Sequence, residues 1–126
     1  VLSITAAMES LADRVRLLTA RPVTTDPRNL AVTPCVLIEP PDLDFSSGNV
    51  TMCGGITGTF PVLVIGTTGA RAELTALDSL LGEVLAGDLD FESGTLVAYY
   101  PLNNAGTADP SVAYRLTVKE MITDAD

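Results

Sequence analysis

The sequence has no histidine and no tryptophan, only two cysteines, and seven basic side chains against sixteen acidic ones. Without histidine it lacks the commonest general base and the commonest transition-metal ligand. Cys35 and Cys53 do not form a C-x-x-C motif and have no histidine to complete a zinc site, so both are read as small buried apolar residues. No uncharged apolar run approaches the roughly 20 residues that a bilayer span requires, and no membrane segment is expected. The shortage of bases leaves a net charge of −9, which argues against direct binding of a phosphate backbone.

What is present is a chain of 126 residues, 47% of them apolar. That length implies one domain, and surface scaling has it bury roughly two thirds of its unfolded surface without disulfide or metal staples. The start at Val1, with no signal-peptide pattern, is read as a nearly full-length chain that has lost its initiator methionine.

Apolar periodicity predicts two helices. Ile4, Ala7, Met8, Leu11, Val15 and Leu18 recur at three- and four-residue steps after Ser3, the expected cap, and Pro22 is expected to stop that helix. Ala70, Leu74, Leu77, Leu81 and Val84 form a second stripe, with Gly87 where a residue just past a helix end belongs. Gly82 lies off that stripe, which suggests a close neighbour there. Leu11, Val15, Leu74, Leu77 and Leu81 are expected in the core.

The rest reads as strands and loops. Residues 21–34, with three prolines, predict a loop, and Cys35 to Glu39 a short strand. From Asn49 to Ile65 runs a β region too long for one straight strand, with Gly54-Gly55 and Pro61 marking a bulge, a bend or an edge. Thr95 to Tyr100 and the alternating run from Val112 predict a final pair joined by a polar loop over 103–110. The expected fold is α+β, two helices packed on a mostly antiparallel sheet of four or more strands.

Asp42-Leu43-Asp44-Phe45-Ser46-Ser47-Gly48 recurs as Asp88-Leu89-Asp90-Phe91-Glu92-Ser93-Gly94, and both copies are read as similar turns. Neither fits a calcium loop, which needs glycine sixth and a bidentate glutamate twelfth. Counting from Asp88, Gly94 is seventh and Tyr99 twelfth; from Asp42 the twelfth is Cys53. Gly66-Thr67-Thr68-Gly69 has the strand-to-helix setting of a phosphate loop, but no lysine follows the second glycine. A serine or cysteine nucleophile would have only carboxylates, Lys119 or tyrosines as its base. No catalytic site, metal or cofactor is expected, and the chain is not read as an enzyme.

Charge is unevenly spread. Residues 1–63 carry a net −2 and residues 64–126 a net −7, with no base between Arg71 and Arg115. The broad reading is a solvated acidic surface; the narrower one is a face that repels a polyanion.

The order of parts carries a resemblance. An N-terminal amphipathic helix leads to Pro34-Cys35-Val36-Leu37-Ile38-Glu39-Pro40, then an acidic loop and a long β segment ending Phe60-Pro61-Val62-Leu63-Val64-Ile65. The Ala70–Ala86 helix and a closing hairpin follow. This layout resembles the tail terminator proteins of long-tailed bacteriophages, especially those of actinobacterial hosts. The resemblance implies a virion protein, assembled in the host cytoplasm, that forms a hexameric ring on the finished tail tube and joins it to the head connector. It implies tube protein and connector (stopper) protein as partners, and DNA passing through the ring without specific binding. Within that picture Asp88, Asp90 and Glu92 are candidates for an acidic lumen, and the loop holding Asp42, Asp44 and Phe45 for contact with a neighbouring subunit or the tube. Other phage neck proteins of the stopper or completion kind, and a small acidic binding domain acting as monomer or dimer, remain as alternatives.

Overall fold

A computed structural model describes residues 3–26, 34–44, 56–66, 74–99 and 111–122. In chain order the elements are α1 (Ile4–Arg16), β1 (Val23–Thr24), β2 (Cys35–Ile38), β3 (Asp42–Asp44), β4 (Ile56–Ile65), α2 (Leu74–Leu85), β5 (Phe91–Tyr99) and β6 (Ser111–Ile122). This is the expected α+β arrangement of two helices and a mostly antiparallel sheet, here of six strands.

Helix α1 starts where Ser3 accepts a hydrogen bond on Oγ from the Ala6 N–H at 3.1 Å, satisfying one of the orphan donors of the first turn. It ends at Arg16, well before Pro22. The chain tightens there through Leu17 N–H to Arg14 C=O and Leu18 N–H to Val15 C=O, so local i→i−3 bonds rather than the proline end it. Its buried face is Met8, Leu11, Ala12 and Val15.

On α2 the buried side chains are Leu77, Leu80 and Val84, while Leu81, expected in the core, is only half-buried against it. Leu74 begins the helix, but its side chain lies outside the described residues. Among the described residues Gly82 has no close neighbour: a Cβ there would meet nothing within 4 Å, contrary to the expectation from its place in the sequence. Gly87 does follow the helix end, and its small size serves packing, since a Cβ would overlap the Leu18 side chain.

The strand order is β1-β2-β4-β6-β5; among the described strands only β1·β2 is parallel, and β3 also pairs with β4. Strand β6 runs along the whole of one edge of β4. The other edge is shared, β2 taking Val62–Ile65 and β3 taking Thr57–Thr59. Pro61 falls at this change of neighbour. Its C=O accepts from the Glu39 N–H at 3.0 Å, and its missing donor points into the same gap. A central strand therefore tolerates proline where one partner stops and the next begins. Two short strands lie where loops were expected, β1 within 21–34 and β3 at Asp42–Asp44, and β5 begins four residues before Thr95.

Alternation divides the apolar residues between two faces. Val36, Ile38, Phe60, Val62, Val64, Leu116, Val118 and Ile122 meet the helices in the main core. Cys35, Leu37, Leu63, Ile65 and Ala113 form a smaller buried cluster on the reverse face. The same alternation sets exposed Arg115 and Lys119 opposite the core-facing residues of β6.

Candidate functional site

The two acidic segments singled out in the sequence have different structures. Asp42–Asp44 is not a loop but strand β3, with Asp42 opposite Thr59, Leu43 opposite Gly58 and Asp44 opposite Thr57. Asp42 and Leu43 are exposed, and Phe45 lies outside the described residues. In the second copy Asp88 and Asp90 precede the sheet, and strand β5 begins only at Phe91. The first copy is thus in the sheet from its first residue and the second from its fourth. Over the described residues they are not two similar turns; Phe45 to Gly48 of the first copy lie outside those residues.

Asp88, Asp90 and Glu92 are all exposed. Glu92 is not without a base, as the sequence suggested, because Lys119 on β6 brings its Nζ to 4.0 Å from Glu92 Oε1. The Lys119 N–H also donates to the Asp90 C=O at 2.9 Å. Since Asp42 opposes Thr59 and Thr59 opposes Lys119, the two acidic segments flank the central strand pair along one row. Three strand spacings separate them by roughly 14 Å. That exceeds the Debye length of about 8 Å at physiological salt, so the two charge groups act independently.

The more distinctive surface is the edge of β5, which sequence periodicity does not reveal. Glu92 is the extra residue of a bulge between Phe91 and Ser93, and beyond it Ser93–Tyr99 pairs regularly with β6. The Val112 C=O accepts from the Gly66 N–H at 2.8 Å, so Val112 turns its polar groups toward β4. Alternation then turns those of Ala113, Arg115 and Thr117 toward β5, where they engage Val97, Thr95 and Ser93. Gly94, Leu96 and Ala98 are left with N–H and C=O directed outward, and among the described residues no strand pairs with them. From Ser93 to Tyr99 there is no charge and no proline, the usual devices that blunt an edge. Leu96 is 62% exposed.

Beside this edge, α2, β5 and β6 together line an open groove of about 360 Å³. Leu81 and Leu85 form one wall, Tyr114 and Leu116 the floor, with Phe91 and Glu92 at one end. Gly94 keeps the floor accessible, because a Cβ there would come within 3.1 Å of Leu116 Cδ2. Leu96 pairs with Tyr114 and so shares the face on which the groove opens. The uncharged run over 93–99 was the one sequence signal of this surface.

Other features offer less chemistry. A shallow hollow of about 580 Å³ lies between the end of α1 and β1. The Arg16 guanidinium that borders it is already engaged, donating to Asp13 Oδ1 at 2.6 Å and to the Val23 C=O at 3.0 Å. Cys35 is a free, fully buried thiol whose burial pushes its pKa up to about 11. Among the described residues no group of three or more Cys, Asp or Glu is placed to hold a metal ion, and no helix is long and apolar enough to cross a membrane. Compared with known proteins, the chain matches no family model and no curated sequence.

Proposed function

We propose that this chain is a structural assembly protein of the tail terminator kind, a subunit of a hexameric ring that caps a phage tail tube and joins it to the head connector. The observation that carries the assembly role is the edge of β5, unpaired among the described residues, with its apolar groove. An uncharged edge of this length is a template for another chain, and a working protein keeps it covered. The order of elements in the sequence supports the specific assignment to the tail. The exposed acids Asp88, Asp90 and Glu92 suit a lumen through which DNA slides without adhering.

The test is direct. Tail tubes incubated with the protein and imaged in negative stain are expected to carry a six-fold ring at one end and to stop elongating. Tubes that stay uncapped and keep growing would remove the proposal. The groove also suits a second reading, a small acidic domain that binds a partner as a monomer or dimer. Sedimentation at the protein's working concentration, with and without tubes, separates the two.

A further inference from the structure

We infer that β5 is covered by an extended, basic, alternately apolar arm of a different protein, added as an antiparallel seventh strand whose apolar side chains enter the groove beside α2. This deepens the assembly reading and rests on it only in requiring that another chain covers β5.

Three observations specify the occupant. The outward N–H and C=O groups of Gly94, Leu96 and Ala98 offer a ladder three residue pairs long, which an extended backbone satisfies and a helix does not. The groove lies on one face only, between Leu81 and Leu85 above and Tyr114 and Leu116 below, so every second side chain of the added strand is apolar and the others face solvent. At the bulged end stand Asp88, Asp90 and Glu92, with Lys119 the one base near them among the described residues. A basic residue on the arm complements that end, and in an antiparallel arm it lies toward the C-terminus.

The edges of a second copy fit less well, and its β5 has no base between Phe91 and Tyr99 to meet the acidic end. Strand β1 has only two residues, and β3 carries Asp42 and Asp44, which would add acid to acid. Each copy also carries −9.

The probe is a fluorescein-labelled heptapeptide of alternating valine and threonine ending in two lysines, titrated into the full chain by anisotropy. Saturable binding is expected, weaker by about tenfold or more when glutamates replace the lysines, when the lysines are moved to the N-terminal end, or in Leu96→Pro. Leu96→Pro removes one outward donor without touching the ladder to β6. Leu85→Asp changes an exposed wall of the groove and keeps the test open should the proline variant fail to fold; it too is expected to weaken binding about tenfold. Amide shifts in the nitrogen–proton spectrum should concentrate at Gly94, Leu96 and Ala98.

No binding at about 1 mM peptide, equal binding of the glutamate peptide, or binding indifferent to both variants would overturn the inference. So would a dimer of the chain itself that Leu96→Pro abolishes, which would give the edge to a second copy. If tubes are capped in a Leu96-dependent way while the peptide does not bind, the inference falls and the assembly role stands. If the peptide binds as expected and tubes stay uncapped, the tail reading falls and the strand-addition site stands.

Discussion

Arg14 in the last turn of α1 brings Nη2 to 2.8 Å from Oε1 of Glu120 on β6, joining the first helix to the last strand. Glu120 occupies a core-facing position of its strand, at the lip of the sheet, and is tolerated there because the guanidinium reaches it. Removing the carboxylate as Glu120→Ala is expected to cost about 1 kcal/mol, with a coupling energy of about 0.5–1 kcal/mol in a cycle with Arg14→Met, both read from urea unfolding. Arg14→Met is expected to cost less than Glu120→Ala, because Arg14 Nε is already buried without a partner among the described residues.

Two glycines should respond to alanine with opposite signs. Gly82 is exposed on α2 with nothing among the described residues within 4 Å of a new Cβ, so Gly82→Ala is expected to raise stability by about 0.5–1 kcal/mol. In β4, a Cβ on Gly58 would stand 2.8 Å from Ile122 Cδ1, 3.2 Å from Pro41 Cβ and 3.3 Å from Phe60 Cε1. Gly58→Ala is therefore expected to lose about 1–3 kcal/mol. Thermal midpoints of the two variants should move in opposite directions.

Leu11 and Leu77 are fully buried from opposite helices in one core, and either changed to alanine is expected to cost about 2–5 kcal/mol. Leu17, just past α1, is 87% exposed, and Leu17→Ala should stay within about 0.5 kcal/mol. Equal losses at Leu17 and Leu11 in denaturant titrations would contradict the packing.

Burial raises the Cys35 thiol from its ordinary 9.0 to about 11, so the unfolded chain ionises first as pH rises. Its contribution to stability is full below about pH 9 and declines between about pH 9 and 11. The stability difference between the native chain and Cys35→Ala should shrink across that window. Below it, thiol reagents followed by peptide mass analysis should leave Cys35 unmodified in the folded protein.

The two helices were legible because each repeats its apolar residues at helical spacing and has its own start or stop signal, Ser3 for α1 and Gly87 after α2. Leu80 escaped because two adjacent leucines, Leu80 and Leu81, both fit near the stripe. Only the sheet beneath decides which is buried. Strand β3 looked like a turn because its two acids flank one leucine; what makes it a strand is pairing with Thr57–Thr59, beyond the reach of local pattern. The edge position of β5 was hidden for the same reason, since an edge is a property of strand order and not of the strand. Pro61 was legible as a discontinuity, and the structure supplied its meaning as the junction between β2 and β3.

The central pair of the sheet joins Ile56–Ile65 to Ser111–Ile122, so the strand that completes the interior is synthesised after every other described strand. While a ribosome is still adding β5, β4 has its long side bare and Phe60, Val62 and Val64 lack the strand that will carry Leu116 and Val118. At about 5–20 residues per second, that exposure lasts several seconds in every round of translation. The nascent chain therefore passes through a sticky interval set by its topology, and a holding chaperone present during synthesis is expected to raise its soluble yield.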